Sequence, residues 1–173
     1  MFCTNTVDWL YKLEKDYVWK SPCTHEKNWG FEDENGVLRL KLLSDGHIIV
    51  MAGYCWDGCT PKFCFMDVLL GTPEGAILRK IGTPKTWDAS LIHDALCQFL
   101  PAEMPLTQKE IDDCMLELLQ MRGFALSYFY YGAVRLFGWF TKPATQKIRG
   151  IKGGKRIELT AEQAVFEASE DNT

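Results

Sequence analysis

The sequence predicts an α+β fold in which an N-terminal antiparallel sheet packs against a bundle of about three helices. Strand signals fill the first third of the chain, helical signals follow from residue 87, and the two do not alternate as they do in a βαβ fold. With 173 residues, 47% of them hydrophobic, the chain is long enough for one domain with a core. We therefore predict a single domain over residues 1–156 and an acidic tail over residues 157–173 that carries a short helix.

The clearest strand signal is a β-hairpin over residues 37–51. Residues 37–43 (Val-Leu-Arg-Leu-Lys-Leu-Leu) alternate apolar and polar, residues 44–46 (Ser-Asp-Gly) form a turn signal, and an apolar run follows. Short strands and loops are expected before it, in residues 1–35. Residues 54–75 contain turn clusters with Gly and Pro and are predicted to form a loop.

Two amphipathic helices follow the loop. The first is predicted over residues 87–100, because apolar side chains recur at helical spacing until Pro101 interrupts them. The second begins at Thr107-Gln-Lys-Glu110, which has the spacing of a capping box, and ends near Gly123.

A third helix is predicted over about residues 125–139. It is apolar on nearly every side, a composition that predicts burial. Arg135 is its single charged residue, and a buried arginine needs a carboxylate partner. We expect that partner to be Asp94 or Asp112.

Charge and cysteine usage restrict the function classes. The net charge of −4 gives no general basic excess, so a nucleic-acid-binding function is not favoured. Residues 142–156 nevertheless carry six bases and no acid, and residues 157–173 carry five acids and no base. Seven cysteines, an odd number, and an N-terminus without a signal-peptide pattern predict reduced thiols and a cytoplasmic location. No apolar run is long enough to predict a membrane span.

The candidate site is a histidine with carboxylates around it. His93 and Asp94 lie inside the first predicted helix, and Asp112 lies near the start of the second. Histidine beside carboxylates is the usual material for proton transfer and for metal binding. The alternative is a buried polar network with no chemistry of its own. Asp57-Gly58 is a turn dipeptide, and Asp57 is either a metal ligand or a latch that holds the loop on the helix.

Several motifs in one order resemble a family of phage and prophage proteins, domain of unknown function 1353. They are Trp56-Asp-Gly-Cys-Thr-Pro61, Ala89-Ser-Leu-Ile-His-Asp-Ala-Leu-Cys97, Glu110-Ile-Asp112 and Tyr131-Gly-Ala-Val-Arg-Leu-Phe-Gly138. The resemblance covers about residues 37–140. It implies a viral or prophage origin, with location in the host cytoplasm or on the virion. The residues of this chain that match the motif positions of the family are Asp57, Gly58, His93, Asp94 and Asp112. Cys97 stands where the family usually has tyrosine, and Cys59 where it has alanine.

The order of loop, His-Asp helix and distant aspartate is also similar to the site layout of secreted A2-type phospholipases. That similarity implies that His93 is a general base for water, that Asp94 binds calcium and that Asp112 orients the imidazole. The loop carbonyls would come from residues 54–58. The disulfide framework of those enzymes is absent, so the likeness concerns the site layout alone.

Two other chemistries stay open as alternatives. Cys55, Cys59, Cys64, His93 and Cys97 are zinc-ligand types, but their spacing is not that of zinc fingers. Carboxylates from residues 57, 94 and 112 suit calcium or magnesium better. Cys97 lies one helical turn after His93, where it could act as a nucleophile.

These observations predict a metal-assisted hydrolase acting on an ester, lipid or amide substrate, with His93 and Asp112 catalytic and Asp94 and Asp57 on a divalent cation. Gly58 and Arg135 are expected to have structural roles. The alternative is a non-catalytic virion component or host-interaction protein in which the same cluster is structural. Membrane-surface contact is expected, if anywhere, through the third helix and residues 142–156.

Overall fold

The computed structural model describes residues 11–59, 62–65, 68–71, 74–78, 82–141 and 154–164. Within them the chain forms an α+β fold, as predicted. The strands are β1 (Tyr11–Lys12), β2 (Tyr17–Lys20), β3 (Trp29–Glu32), β4 (Leu38–Leu42), β5 (His47–Val50), β6 (Cys55–Trp56), β7 (Lys62–Phe65), β8 (Val68–Gly71) and β9 (Lys155–Glu158). The helices are α1 (Trp87–Gln98), α2 (Gln108–Met121), α3 (Ser127–Thr141) and α4 (Ala161–Ala164), with a 3-10 turn at Leu100–Ala102.

The main sheet is antiparallel and has the strand order β2-β5-β4-β3-β9. The predicted hairpin forms its centre as β4 and β5. Alternation along β5 places Ile48 and Val50 in the core beneath the helices and Ile49 in a smaller cluster on the opposite face. The two faces are therefore covered by different parts of the chain.

Helices α1, α2 and α3 pack in sequence order on one face of the sheet. Helix α1 is central, with Leu91, Ile92, Ala95 and Leu96 fully buried. Helix α2 packs on α1, and α3 packs on α2. The predicted capping box is confirmed, because Thr107 accepts from the Glu110 backbone N–H while the Glu110 side chain accepts from that of Thr107.

The region predicted as a loop, residues 54–75, is more ordered than expected. Strand β6 pairs with β1, and β7 pairs with β8. The prediction of a continuous loop was therefore wrong, because strands of two to four residues are too short to give a periodic signal.

The C-terminal part of the described chain is built into the sheet. Strand β9 pairs with β3, which precedes it by more than 120 residues, and Leu159 packs on the outer face of the sheet. The predicted division between residues 156 and 157 falls inside this strand. The short helix expected after it appears as α4, and the rest of the acidic tail lies outside the described residues.

The predicted burial of α3 was wrong. Its Ser127 and Tyr130 are buried, but Tyr128, Phe129 and Leu136 are 70%, 71% and 59% exposed. The helix packs mainly on α2, and these exposed side chains show that the described elements leave part of this apolar helix uncovered.

Candidate functional site

The site centres on Asp112, whose side chain has no exposed surface. Its Oδ1 accepts hydrogen bonds from His93 Nε2 at 3.0 Å and from Gln108 Nε2 at 2.8 Å. Its Oδ2 accepts from Arg135 Nη1 at 3.2 Å. The donors come from α1, α2 and α3, so one carboxylate joins all three helices.

The ring of His93 is held in one orientation by this contact. A buried ionised carboxylate only accepts hydrogen bonds, so the proton lies on Nε2. The His93 side chain keeps 15% of its surface exposed. The orienting contact implied by the phospholipase-like layout is thus present.

Several charges act on the His93 ring. Burial by itself lowers the pKa of an imidazole, but the electrostatic interaction with Cys97, the hydrogen bond to Asp112 and the charge of Asp94 outweigh it. Together these interactions raise the pKa of His93 to about 10. At neutral pH the ring is therefore a cation, with no lone pair ready to accept a proton from water.

Cys97 lies against the imidazole without aligning on either nitrogen. Its Sγ is 3.7 Å from His93 Nε2 and 3.9 Å from Nδ1. A thiol poised as a nucleophile would point at one ring nitrogen, whereas near-equal distances place the sulfur beside the ring. Gln108 also donates to this sulfur at 3.6 Å. The geometry favours packing over nucleophilic attack.

Asp94 is the direct neighbour of His93 in sequence, and its negative charge contributes to the raised pKa of the imidazole. Consecutive side chains on a helix point about 100° apart, and Asp94 is 5% exposed while His93 faces α2. The described hydrogen bonds of His93 go to Asp112 and Cys97. The metal-binding role predicted for Asp94 stays a prediction.

The Asp57-Gly58 loop is held by a residue that the sequence did not single out. Glu74 accepts from the backbone N–H of Cys59 at 3.0 Å and from Thr86 Oγ1 at 2.9 Å. Gly58 has φ +73°, and a Cβ there would overlap the Glu74 carboxylate. Trp56 Nε1 adds a bond to Ser90 of α1 at 3.2 Å. Glu74 thus helps to hold this loop, and the role predicted for Asp57 as a latch or metal ligand stays a prediction.

The described part of the chain contains no assembled set of metal ligands. There, no three His, Cys, Asp or Glu side chains are grouped as a metal ion would require. The side chain of Cys64, one of the zinc candidates, lies outside the described residues, and the Cys55 thiol donates to the Gly53 carbonyl at 3.6 Å.

A second polar contact joins α2 to α3 near the surface. Tyr131 Oη donates to Asp113 Oδ1 at 2.8 Å, and Lys109 Nζ lies 2.5 Å from Asp113 Oδ2. Together with the Arg135–Asp112 contact it fixes which side of α3 faces inward.

The sequence missed Gln108 and Glu74 for different reasons. Gln108 precedes Asp112 by four residues on one helix, a spacing at which Gln and Asp pair, so a signal for it existed. Glu74 acts across a turn on residues 15 and 12 positions away, and nothing local marks it.

The described helices include none long and apolar enough to cross a membrane. No protein-family model, no curated protein and no solved structure matches the chain. The assignment of function therefore depends on the geometry above.

Proposed function

We propose that the protein is a phage- or prophage-encoded, non-catalytic interaction protein, either a virion component or a host-interaction protein. In it, the His93–Asp112–Arg135 network is structural and α3 is the contact element. The observation that carries the proposal is the pairing of Asp112, a fully buried carboxylate that receives one donor from each of three helices. The phage origin is supported by the order of the sequence motifs.

The state of His93 supports a structural role. A cationic imidazole bonded to a buried carboxylate is an ion pair, and removing either partner leaves an uncompensated charge. A general base for neutral pH needs a pKa near the working pH, whereas Cys97 and Asp112 raise the pKa of His93 to about 10 in spite of its burial.

The exposed face of α3 supports an interaction role. Large apolar side chains that lie together on a surface, rather than scattered, mark sites of contact with other molecules. Here Tyr128, Phe129 and Leu136 share one helix, and the inner side of that helix is fixed by Arg135 and Tyr131.

The test is site-specific photo-crosslinking of the full-length protein expressed in bacterial cells. A photo-reactive phenylalanine analogue replaces Tyr128 in one protein and Val37 in the control, since Val37 is also exposed but lies on the hairpin side. We expect adducts of defined mass from position 128 and none of them from position 37. The same adduct pattern from both positions, or none from either, would refute the proposal.

A metal-assisted hydrolase is the second candidate, and one observation favours it. Asp112 fixes the Nε2–H tautomer, so that loss of one proton would leave Nδ1 as the basic nitrogen of a side chain that is 15% exposed. The substrate class would be an ester, lipid or amide, with a calcium or magnesium ion held by Asp94 and Asp57.

This candidate predicts a distinct pH profile. Hydrolysis of ester, phospholipid and cell-wall substrates would rise with pH as the imidazole loses its proton, and chelation of divalent cations would abolish it. His93→Gln would remove the activity, whereas His47→Gln, which changes an exposed surface pair, would not. Equal activity of wild type and a folded His93→Gln variant excludes the hydrolase.

A further inference from the structure

Cys23 and Cys114 bring two thiols together from distant parts of the sequence. Cys23 follows β2, and Cys114 lies in the middle of α2, where only 1% of its surface is exposed. The Cys23 thiol is hydrogen-bonded to the Cys114 thiol, and its side chain packs against the core cluster that contains Cys114. Both cysteines are free thiols in this structure. A contact between sulfur atoms therefore connects the sheet to the helix layer.

The backbone around Cys23 is fixed on two sides. Ser21 Oγ accepts from the Cys23 backbone N–H at 3.0 Å and lies 3.6 Å from Cys114 Sγ, so one hydroxyl contacts both cysteines. On the other side, the Ser21 backbone N–H donates to the Gly46 carbonyl at 2.9 Å. A Cβ on Gly46 would lie 3.1 Å from the Cys23 carbonyl oxygen, so the turn of the hairpin packs closely on this segment. The fold thus holds the two thiols side by side, as disulfide formation requires.

The two thiols differ in their access to solvent. Burial, with a smaller effect of Cys23, raises the pKa of Cys114 to about 12 in spite of its contact with Ser21. The thiolate is the nucleophile in thiol–disulfide exchange, so Cys114 does not react with an external oxidant. Cys23 is only partly buried and can meet such an oxidant directly. Cys23 therefore reacts first and Cys114 second.

We propose that Cys23 and Cys114 form a reversible disulfide when the folded protein meets a disulfide oxidant such as glutathione disulfide. The Cys23 thiolate attacks one sulfur of glutathione disulfide, which gives a mixed disulfide and releases one glutathione thiolate. Cys114 then loses its proton to solvent, and its thiolate attacks the Cys23 sulfur and releases the second glutathione. Two electrons pass from the cysteines to the oxidant, and the two cysteine protons end on the two released glutathione thiols. The inference is independent of the proposed function.

The disulfide locks α2 to the segment that follows β2. It closes a loop of roughly 90 residues, and cross-linking a long loop removes much conformational entropy from the unfolded chain. Because the fold already holds the two thiols in contact, the bond forms without rearrangement of either segment. We therefore expect the oxidised protein to unfold at a temperature roughly 5–15 °C higher than the reduced protein does.

The test is incubation of the folded, full-length protein with glutathione disulfide, followed by alkylation of the remaining thiols, tryptic digestion and mass spectrometry. We expect a disulfide between peptides 21–27 and 110–122, each of which contains one cysteine, and its loss on treatment with a reducing agent. Cys55→Ser, which removes another partly buried thiol, is the matched control and should form the same bond. Cys114→Ala should leave Cys23 bound to glutathione, whereas Cys23→Ser should leave Cys114 as a free thiol.

Several results would overturn the inference. One is a wild-type protein in which Cys23 and Cys114 stay reduced under conditions that modify Cys55, which would leave the two thiols as packing in the core. Another is a glutathione adduct that persists on wild-type Cys23, or linkage of either residue to a different cysteine. Thermal unfolding of the oxidised protein at an unchanged or lower temperature would refute the lock between α2 and the sheet. None of these results affects the crosslinking test of α3, so the two proposals fail separately.

Discussion

At the residue scale, Asp112 decides how the three helices are held. We expect Asp112→Asn to destabilise the fold by about 3 kcal/mol or more, because it leaves the charges of His93 and Arg135 without their buried partner. Urea unfolding followed by circular dichroism measures the change.

The neighbouring aspartate supplies the control. Asp113 also bonds to two side chains, but its own side chain is 41% exposed. Asp113→Asn should cost less than about 1 kcal/mol, as exposed ion pairs do. Equal losses from the two variants would contradict the role assigned to burial.

A second expectation concerns the proton on His93. Burial opposes its protonation, but Cys97 contributes the largest opposing effect, so Cys97→Ser should lower the pKa of His93. Nuclear magnetic resonance titration of the ring proton measures it, and Cys55→Ser serves as the control. An unchanged pKa in Cys97→Ser would assign the rise to the two aspartates, Asp112 and Asp94.

The same proton links stability to pH. The folded-state pKa of about 10 exceeds the unfolded value of about 6.5. Protonated His93 therefore stabilises the fold fully below about pH 6.5, and this contribution disappears as pH rises through about 10. Urea unfolding between these limits should show a steeper fall in stability for wild type than for His93→Gln. Parallel curves would show that His93 does not titrate as stated.

Only some of the polar contacts of the site could be predicted from the sequence. Sequence reasoning could pair His93 with Asp112 and Arg135 with a carboxylate, because buried charges require opposite charges. It could not find Glu74 as a residue that holds the loop, since that choice depends on how residue 74 meets Cys59 and Thr86 in space.

At the element scale, α2 shows how a local signal fixes a helix start. We expect Thr107→Ala to reduce stability by about 1 kcal/mol, because the backbone N–H of Glu110 loses its acceptor. Thr107→Ser keeps the hydroxyl and should cost little. Thermal unfolding of both variants checks this, and a loss of equal size in the serine variant would contradict the capping role.

The elements that were predicted correctly are those with strong local signals. The hairpin of β4 and β5 has a turn sequence between two alternating runs, and α2 has a capping box followed by an apolar stripe. The extent to which α3 is buried could not be predicted, because amino-acid composition shows how apolar a helix is but not how many other elements pack against it. In α3, the side chains of Tyr128, Phe129 and Leu136 stay exposed.

At the scale of the whole molecule, β9 completes the sheet beside β3. A Cβ on Gly154 would overlap the carbonyl oxygen of Glu32, and backbone cannot yield as a side chain can. We expect Gly154→Ala to destabilise the fold by about 1–3 kcal/mol, in the range of overpacked sites. Thermal unfolding reports the change.

Another glycine gives the matched control. Gly132 lies in α3, and a Cβ there would meet nothing within 4 Å. Gly132→Ala should stabilise the protein by about 0.5–1 kcal/mol, because alanine favours the helix. If Gly154→Ala were as well tolerated, the close approach of β9 to β3 would not hold.

The α+β class could be predicted because strand and helix signals occupy separate parts of the sequence. The order of the strands could not, since β9 is short, follows a basic segment and pairs with a partner far away in sequence. Long-range pairing depends on the assembled core, which no single window of sequence contains.

The position of β9 also has a consequence for synthesis on the ribosome. Residues 33–154 must be translated between the end of β3 and the start of its partner, which takes roughly 6–25 seconds at about 5–20 residues per second. Throughout that interval the nascent chain carries an open hydrogen-bonding edge on β3, a template for pairing with other chains. Aggregation during expression should therefore be governed by how soon the last strand emerges.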